Sequence, residues 1–94
     1  MSILIQNGTL FLPAGPEKAD LRLEGEKIAQ IGPDLPQGGS RVIDAAGKLV
    51  FPGFIDTHTH FEMNKDTPRE TADNWSTGTR AALAGGTTCV LDFA

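Results

Sequence analysis

One stretch limits this chain more than any other. After Gly47 the run Leu49-Val50-Phe51 meets Pro52-Gly53 and is followed by Phe54-Ile55-Asp56-Thr57-His58-Thr59-His60-Phe61, which alternates like a strand. Downstream, Trp75, Thr79, Ala82 and Leu83 recur at helical spacing, with Thr71 or Asp73 as the N-cap and Gly85-Gly86 as the stop. Gly78 weakens that helix locally, and Trp75 reads as packing rather than as a substrate contact. Thr87 to Phe93 is an apolar, β-branched run of strand length. Strand, long loop, helix and strand in that order predict one βαβ unit over residues 53–93, the kind of unit that begins a (β/α) barrel.

The preceding residues have a different texture. Short runs broken by glycine and proline show no helical period and predict four or five strands in a small sheet or half-sandwich. Ile3 and Ile5 alternate with Leu4 and Gln6 up to a turn signal at Asn7-Gly8, and Thr9 to Leu12 then continues toward Pro13-Ala14-Gly15-Pro16. Ala19, Leu21 and Leu23 fall on one face and Asp20, Arg22 and Glu24 on the other, the pattern of a half-buried strand. Gly25-Glu26 turns the chain into Lys27 to Ile31, and Arg41-Val42-Ile43-Asp44 is a further short run. The boundary expected from this change of texture separates a β-rich part, residues 1–51, from the βαβ part, residues 52–94.

Composition narrows the partners. Twelve acidic against eight basic residues leave a net charge of -4, and no lysine or arginine cluster is present to neutralise phosphates, which argues against nucleic acid. The apolar runs are far shorter than the roughly 18 to 20 residues of a membrane span, and no basic-then-apolar leader opens the chain. With one cysteine, Cys89, read as a buried thiol in its apolar run, these features predict a cytoplasmic protein that does not engage membranes.

His58 and His60 carry the chemistry. In a regular strand they share a face with Asp56, their Cα atoms roughly 6.5 to 7 Å apart, and two imidazoles leaning together can each place a nitrogen about 2.0 to 2.1 Å from one zinc-like ion. A bare His-x-His pair is a weak signal, since exposed or hydrogen-bonded histidines look the same in a sequence. Context sharpens it: these are the two histidines of the chain, and they sit at the C-terminal end of the first barrel strand, where barrel chemistry resides. Asp56 reads either as a group orienting an imidazole or another buried donor, or as an ordinary structural hydrogen bond.

The segment Pro52-Gly53-Phe54-Ile55-Asp56-Thr57-His58-Thr59-His60-Phe61-Glu62-Met63 resembles the first-strand signature of the cyclic amidohydrolases, closest to the dihydropyrimidinase and hydantoinase branch. Thr77 to Thr88, ending in Leu91-Asp92-Phe93, is similar to the helix and second strand that follow in that family, and the β-rich part loosely resembles its share of the flanking sandwich. The resemblance implies an α/β fold: part of an N-terminal β-sandwich, then the first βαβ unit of a metal-dependent (β/α)8 TIM barrel. It implies two divalent metals, zinc as a rule, bridged by a carboxylated lysine, and hydrolysis of a small-molecule cyclic amide at a C–N bond. His58 and His60 match the two ligands given to the more buried metal. The bridging lysine, two further histidines and a catalytic aspartate come from later strands, and Lys18, Lys27, Lys48 and Lys65 do not match that lysine.

Dihydroorotases commonly carry an arginine where this chain has Glu62, so Glu62, with Met63 beside it, favours an uncharged ring such as dihydrouracil or a 5-substituted hydantoin. Asn64-Lys65-Asp66 departs from the branch pattern, which expects a proline and an aromatic residue there. The chain stops at Leu91-Asp92-Phe93-Ala94 without a polar tail, which predicts an inactive N-terminal fragment with exposed apolar surface and a tendency to self-associate; the family's complete enzymes are homo-oligomers, tetramers by the resemblance. The competing expectations are a non-catalytic scaffold of the collapsin response mediator type, against which both histidines argue, and a small interaction module that works through its sheet edge.

Overall fold

The computed structural model describes residues 1–93, which form two compact units, Met1–Pro52 and Gly53–Ala94, the last residue lying outside the described set. The first unit is a single five-stranded sheet. Its strands are β1 (Ser2–Leu12), β2 (Gly15–Glu24), β3 (Lys27–Gly32), β4 (Arg41–Asp44) and β5 (Leu49–Val50), in the order β3-β2-β1-β4 with β5 also on β1. β1, β2 and β3 form an antiparallel meander, whereas β4 and β5 run parallel to β1.

The turn expected at Asn7-Gly8 is not a turn. β1 runs straight through it and the hairpin closes at Pro13-Ala14 instead. Asn7 takes a left-handed conformation (φ 65°) and adds one residue to β1, a β-bulge between the Ile5↔Leu21 and Gly8↔Ala19 pairs. The bulge divides the other edge of β1 in two, residues 3–6 pairing with β4 and residues 9–10 with β5. What holds it is Asp20. This carboxylate, read from the alternation as solvent-facing, is buried, and accepts the Asn7 N–H at 2.9 Å and the Leu35 N–H at 3.0 Å. One side chain thus satisfies two backbone donors, that of the exposed bulge residue Asn7 and that of the buried Leu35. Leu4, Leu10, Ala19, Leu35 and Ala45 form the core.

The second unit is the expected βαβ unit. β6 (Phe54–Thr59) and β7 (Thr87–Asp92) pair in parallel, and α1 (Trp75–Ala84) crosses between them. The helix begins one residue later than expected, since Asn74 rather than Thr71 or Asp73 is the N-cap. Its side chain accepts the Thr77 N–H while Thr77 Oγ1 accepts the Asn74 N–H, a reciprocal pair that satisfies two donors of the first turn. Gly78 has a packing reason: the Phe61 ring lies against it, and any added Cβ would overlap that ring. Phe61 also meets Trp75 edge-on at 5.2 Å, but Trp75 is 46% exposed and is not part of a core in this unit.

Cys89 is exposed, contrary to expectation. Val90 and Thr88 border the helix, with Thr79 and Ala82 across from them, whereas Cys89 and Leu91, the strand neighbours of Val90, alternate to the other side. One helix covers one face of a two-stranded sheet. Among the described residues no helix is long and apolar enough to cross a membrane.

Candidate metal centre

β6 is not a regular strand where the histidines lie. Asp56 pairs with Val90 and Thr59 with Asp92, so three steps on β6 oppose two on β7 and the strand bulges around Thr57-His58. The His58 N–H donates to Asp56 Oδ1 at 3.1 Å. This is a structural hydrogen bond, one of the two roles considered for Asp56, and it ties the carboxylate to the backbone of the bulge. His60 lies one residue beyond the end of the ladder.

Despite the bulge the two imidazoles converge. Their Nε2 atoms are 3.0 Å apart and the rings meet edge-on, centroids 4.9 Å apart and planes at 78°. Two nitrogens that each lie about 2.0 to 2.1 Å from one ion, at an angle near that of a tetrahedral or octahedral site, stand about 3.0 to 3.4 Å apart. The pair fits a divalent metal as two ligands on one side of it. His58 is exposed and His60 half-buried, and His60 Nδ1 is the one buried side-chain polar atom without a hydrogen-bond partner among the described residues. A ligating imidazole usually donates that second nitrogen to a carboxylate, a carbonyl or water. No group of three or more His, Cys, Asp or Glu able to hold an ion occurs among the described residues, so the histidine pair would supply two ligands and not a full set.

Glu62 and Met63 lie in the loop between β6 and α1. Glu62 takes φ 52° and turns its carboxylate to the start of the helix, where Oε2 accepts the Trp75 N–H at 3.1 Å and Oε1 pairs with Lys65 Nζ at 3.0 Å. The Trp75 N–H, and after it Lys65, hold the Glu62 carboxyl below its ordinary value, and the same pairing raises the Lys65 ammonium. Its negative charge is directed at the helix and the lysine. The Met63 N–H donates to Thr71 Oγ1 at 3.0 Å, which pins the loop, and its side chain is partly exposed.

The sequence reading passed over Asp92 and Phe93. Asp92 Oδ1 accepts from the Phe61 N–H at 2.8 Å and from Thr59 Oγ1 at 3.1 Å, on either side of His60. The Phe93 ring lies 4.4 Å from that of His58 and 5.8 Å from that of His60. The signal available was a single carboxylate inside an otherwise apolar strand, which in a buried or half-buried strand needs a partner.

Residues 49–94 match the amidohydrolase family. A D-hydantoinase of Rhizobium radiobacter is 47% identical over 93 residues, covering 99% of this chain and 20% of its own. In structure the chain is similar to a D-hydantoinase crystal structure (TM-score 0.91, 44% identity, 99% of this chain and 20% of that one). It is similar also to the dihydropyrimidinase of Brevibacillus agri (TM-score 0.90, 45% identity, with the same coverage). The chain thus spans about a fifth of the length of the relatives it matches. Its two units correspond to the N-terminal region of those proteins, a β-sandwich portion followed by the βαβ unit. By motif, sequence and fold together, this chain belongs to the amidohydrolases, a generally metal-dependent family, as an N-terminal part of the D-hydantoinase and dihydropyrimidinase branch.

Proposed function

We propose that His58 and His60 are the first two protein ligands of a divalent metal, zinc as a rule, in a hydrolase that opens cyclic amides at a C–N bond. The observation that carries this reading is the convergence of the two Nε2 atoms to 3.0 Å at the C-terminal end of the first barrel strand. When bound, the metal supplies Lewis acidity toward the amide carbonyl and activates a water near neutral pH. The chain's own part is to bind and orient it. Neutral imidazoles offer their Nε2 lone pairs, and Asp56 secures the bulge that places His58. Two imidazoles supply half of a four-ligand set, so the 94 residues alone do not turn over substrate; the bridging carboxylated lysine, the second metal and the remaining ligands belong to the rest of the complete enzyme.

The ring class follows from the likeness to hydantoinases and dihydropyrimidinases: an uncharged hydantoin or dihydropyrimidine. Glu62 contributes less to that choice than its charge suggests, because the helix start and Lys65 already engage its carboxylate. Ile55, Leu83 and Leu91 are 65%, 63% and 53% exposed, which supports a homo-oligomeric or otherwise covered state for the second unit.

Calorimetric titration of the chain with Zn2+ tests the ligand assignment. His58→Ala and His60→Ala should each abolish the binding seen with the parent chain, and unchanged metal content in either variant refutes the assignment. In a complete enzyme carrying this segment, the same substitutions should abolish opening of dihydrouracil and of 5-substituted hydantoins.

A further inference from the structure

We propose that Asp92 and Phe93, at the end of β7, are positioning residues that hold His58 and His60 in chelating geometry. This rests on the reading of the two histidines as metal ligands and extends it to a neighbouring strand.

The argument begins with where the ladder stops. β6 bulges around His58 and its pairing ends at Thr59, so His60 emerges from the strand without a ladder partner of its own. A histidine at a frayed strand end samples several rotamers. Here the backbone on both sides of His60 is instead tied to β7. Asp92 Oδ1 takes the Phe61 N–H and the Thr59 hydroxyl, the same hydroxyl lies 3.2 Å from the Leu91 carbonyl, and the Phe93 N–H donates to the Thr59 carbonyl at 3.0 Å. One carboxylate oxygen therefore bridges the residues before and after His60.

Phe93 acts on the rings. It stands 4.4 Å from the His58 ring and 5.8 Å from the His60 ring, tilted by 36° and 48°, so one flat group borders both imidazoles. Ring contact on that side limits the rotations that would turn the two Nε2 atoms apart. Neither residue offers an atom to the metal in this arrangement, and both act through the histidines. Groups that orient metal ligands in this way typically change metal affinity by about 10- to 100-fold when removed.

The experiment measures Zn2+ affinity of the full chain by calorimetry and the Co2+ complex by its visible absorption, with far-UV circular dichroism as the check on folding. Asp92→Ala should weaken Zn2+ binding by about 10- to 100-fold and shift the Co2+ spectrum. Asp92→Asn keeps an acceptor oxygen without the charge and should restore affinity to within a few-fold of the parent. Phe93→Leu retains apolar bulk without a flat ring and should weaken binding about tenfold. If Asp92→Ala loses its secondary structure, Asp92→Asn and Phe93→Leu decide the matter.

Parent-like affinity and spectrum in both Asp92→Ala and Phe93→Leu overturn the positioning role while leaving the metal assignment in place. Failure of Asp92→Asn to restore binding overturns the hydrogen-bonded clamp, because charge would then be what matters. If a His58→Ala, His60→Ala double variant binds Zn2+ as the parent does, the ligand reading itself falls and this inference falls with it.

Discussion

The two units of this chain solve opposite problems. Met1–Pro52 buries Leu4, Leu10, Ala19, Leu35 and Ala45 and satisfies its one buried carboxylate, Asp20, with two backbone donors. Gly53–Ala94 carries the histidines, yet Gly78 is its one buried position among the described residues. The first unit has a core and no chemistry; the second has chemistry and almost no core. A parallel strand pair needs cover on both faces, and one helix gives it on one. Local geometry at the histidine pair therefore depends on hydrogen bonds and ring contacts at the strand ends rather than on burial.

That contrast can be broken by substitution. The largest effect is expected at Leu4, which is fully buried: Leu4→Ala should destabilise the first unit by about 2–5 kcal/mol, read by urea unfolding, whereas Ile55→Ala, at a position 65% exposed, should stay within about 0.5 kcal/mol. Comparable losses at the two sites would mean that the second unit has a core after all. An intermediate effect is expected at Gly78, where Gly78→Ala forces a methyl into the Phe61 ring. Overpacking of this kind costs about 1–3 kcal/mol, and amide exchange along α1 and β7 should quicken while β1 to β4 stay protected. Unaltered exchange in α1 would show that Phe61 moves aside freely.

The smallest effect concerns pH. The Glu62 carboxyl titrates below its ordinary value of 4.5 in the folded chain, chiefly because it accepts the Trp75 N–H and then because of Lys65. A depressed folded value means that the ionised form is the one the fold favours, so its contribution is complete above 4.5 and disappears as pH falls through the lower folded value. Acid should therefore loosen the first turn of α1 before it affects the sheet of the first unit, and Glu62→Gln should remove that step. The two being equally acid-sensitive would undo the distinction.

Much of this was legible in the residues. Alternation in Phe54 to Phe61, the helical spacing from Trp75 to Leu83 and the β-branched run from Thr87 specify the βαβ unit locally, because each pattern has its own period. The His-x-His pair at the strand end was visible for the same reason. Positions set by non-local partners were not. Asn7-Gly8 has turn chemistry, but Asp20, thirteen residues away, captures the Asn7 N–H and keeps the chain in the sheet as a bulge. Asp20 in turn looked solvent-facing because alternation counts faces and cannot register a buried acceptor.

The sequence by itself determined the element types, the order of strand, helix and strand, and the pair of imidazoles, all of which follow from neighbours within a few residues. Only the tertiary structure decided that Asp56 accepts a bond from the bulge, that Glu62 accepts the first N–H of α1 beside Lys65, that Cys89 is exposed, and that Asp92 reaches the residues flanking His60 while Phe93 reaches the histidine rings. Hydrogen bonds and ring contacts between residues thirty or more positions apart, such as Phe61 to Asp92, depend on register, and register is settled when the strands pair.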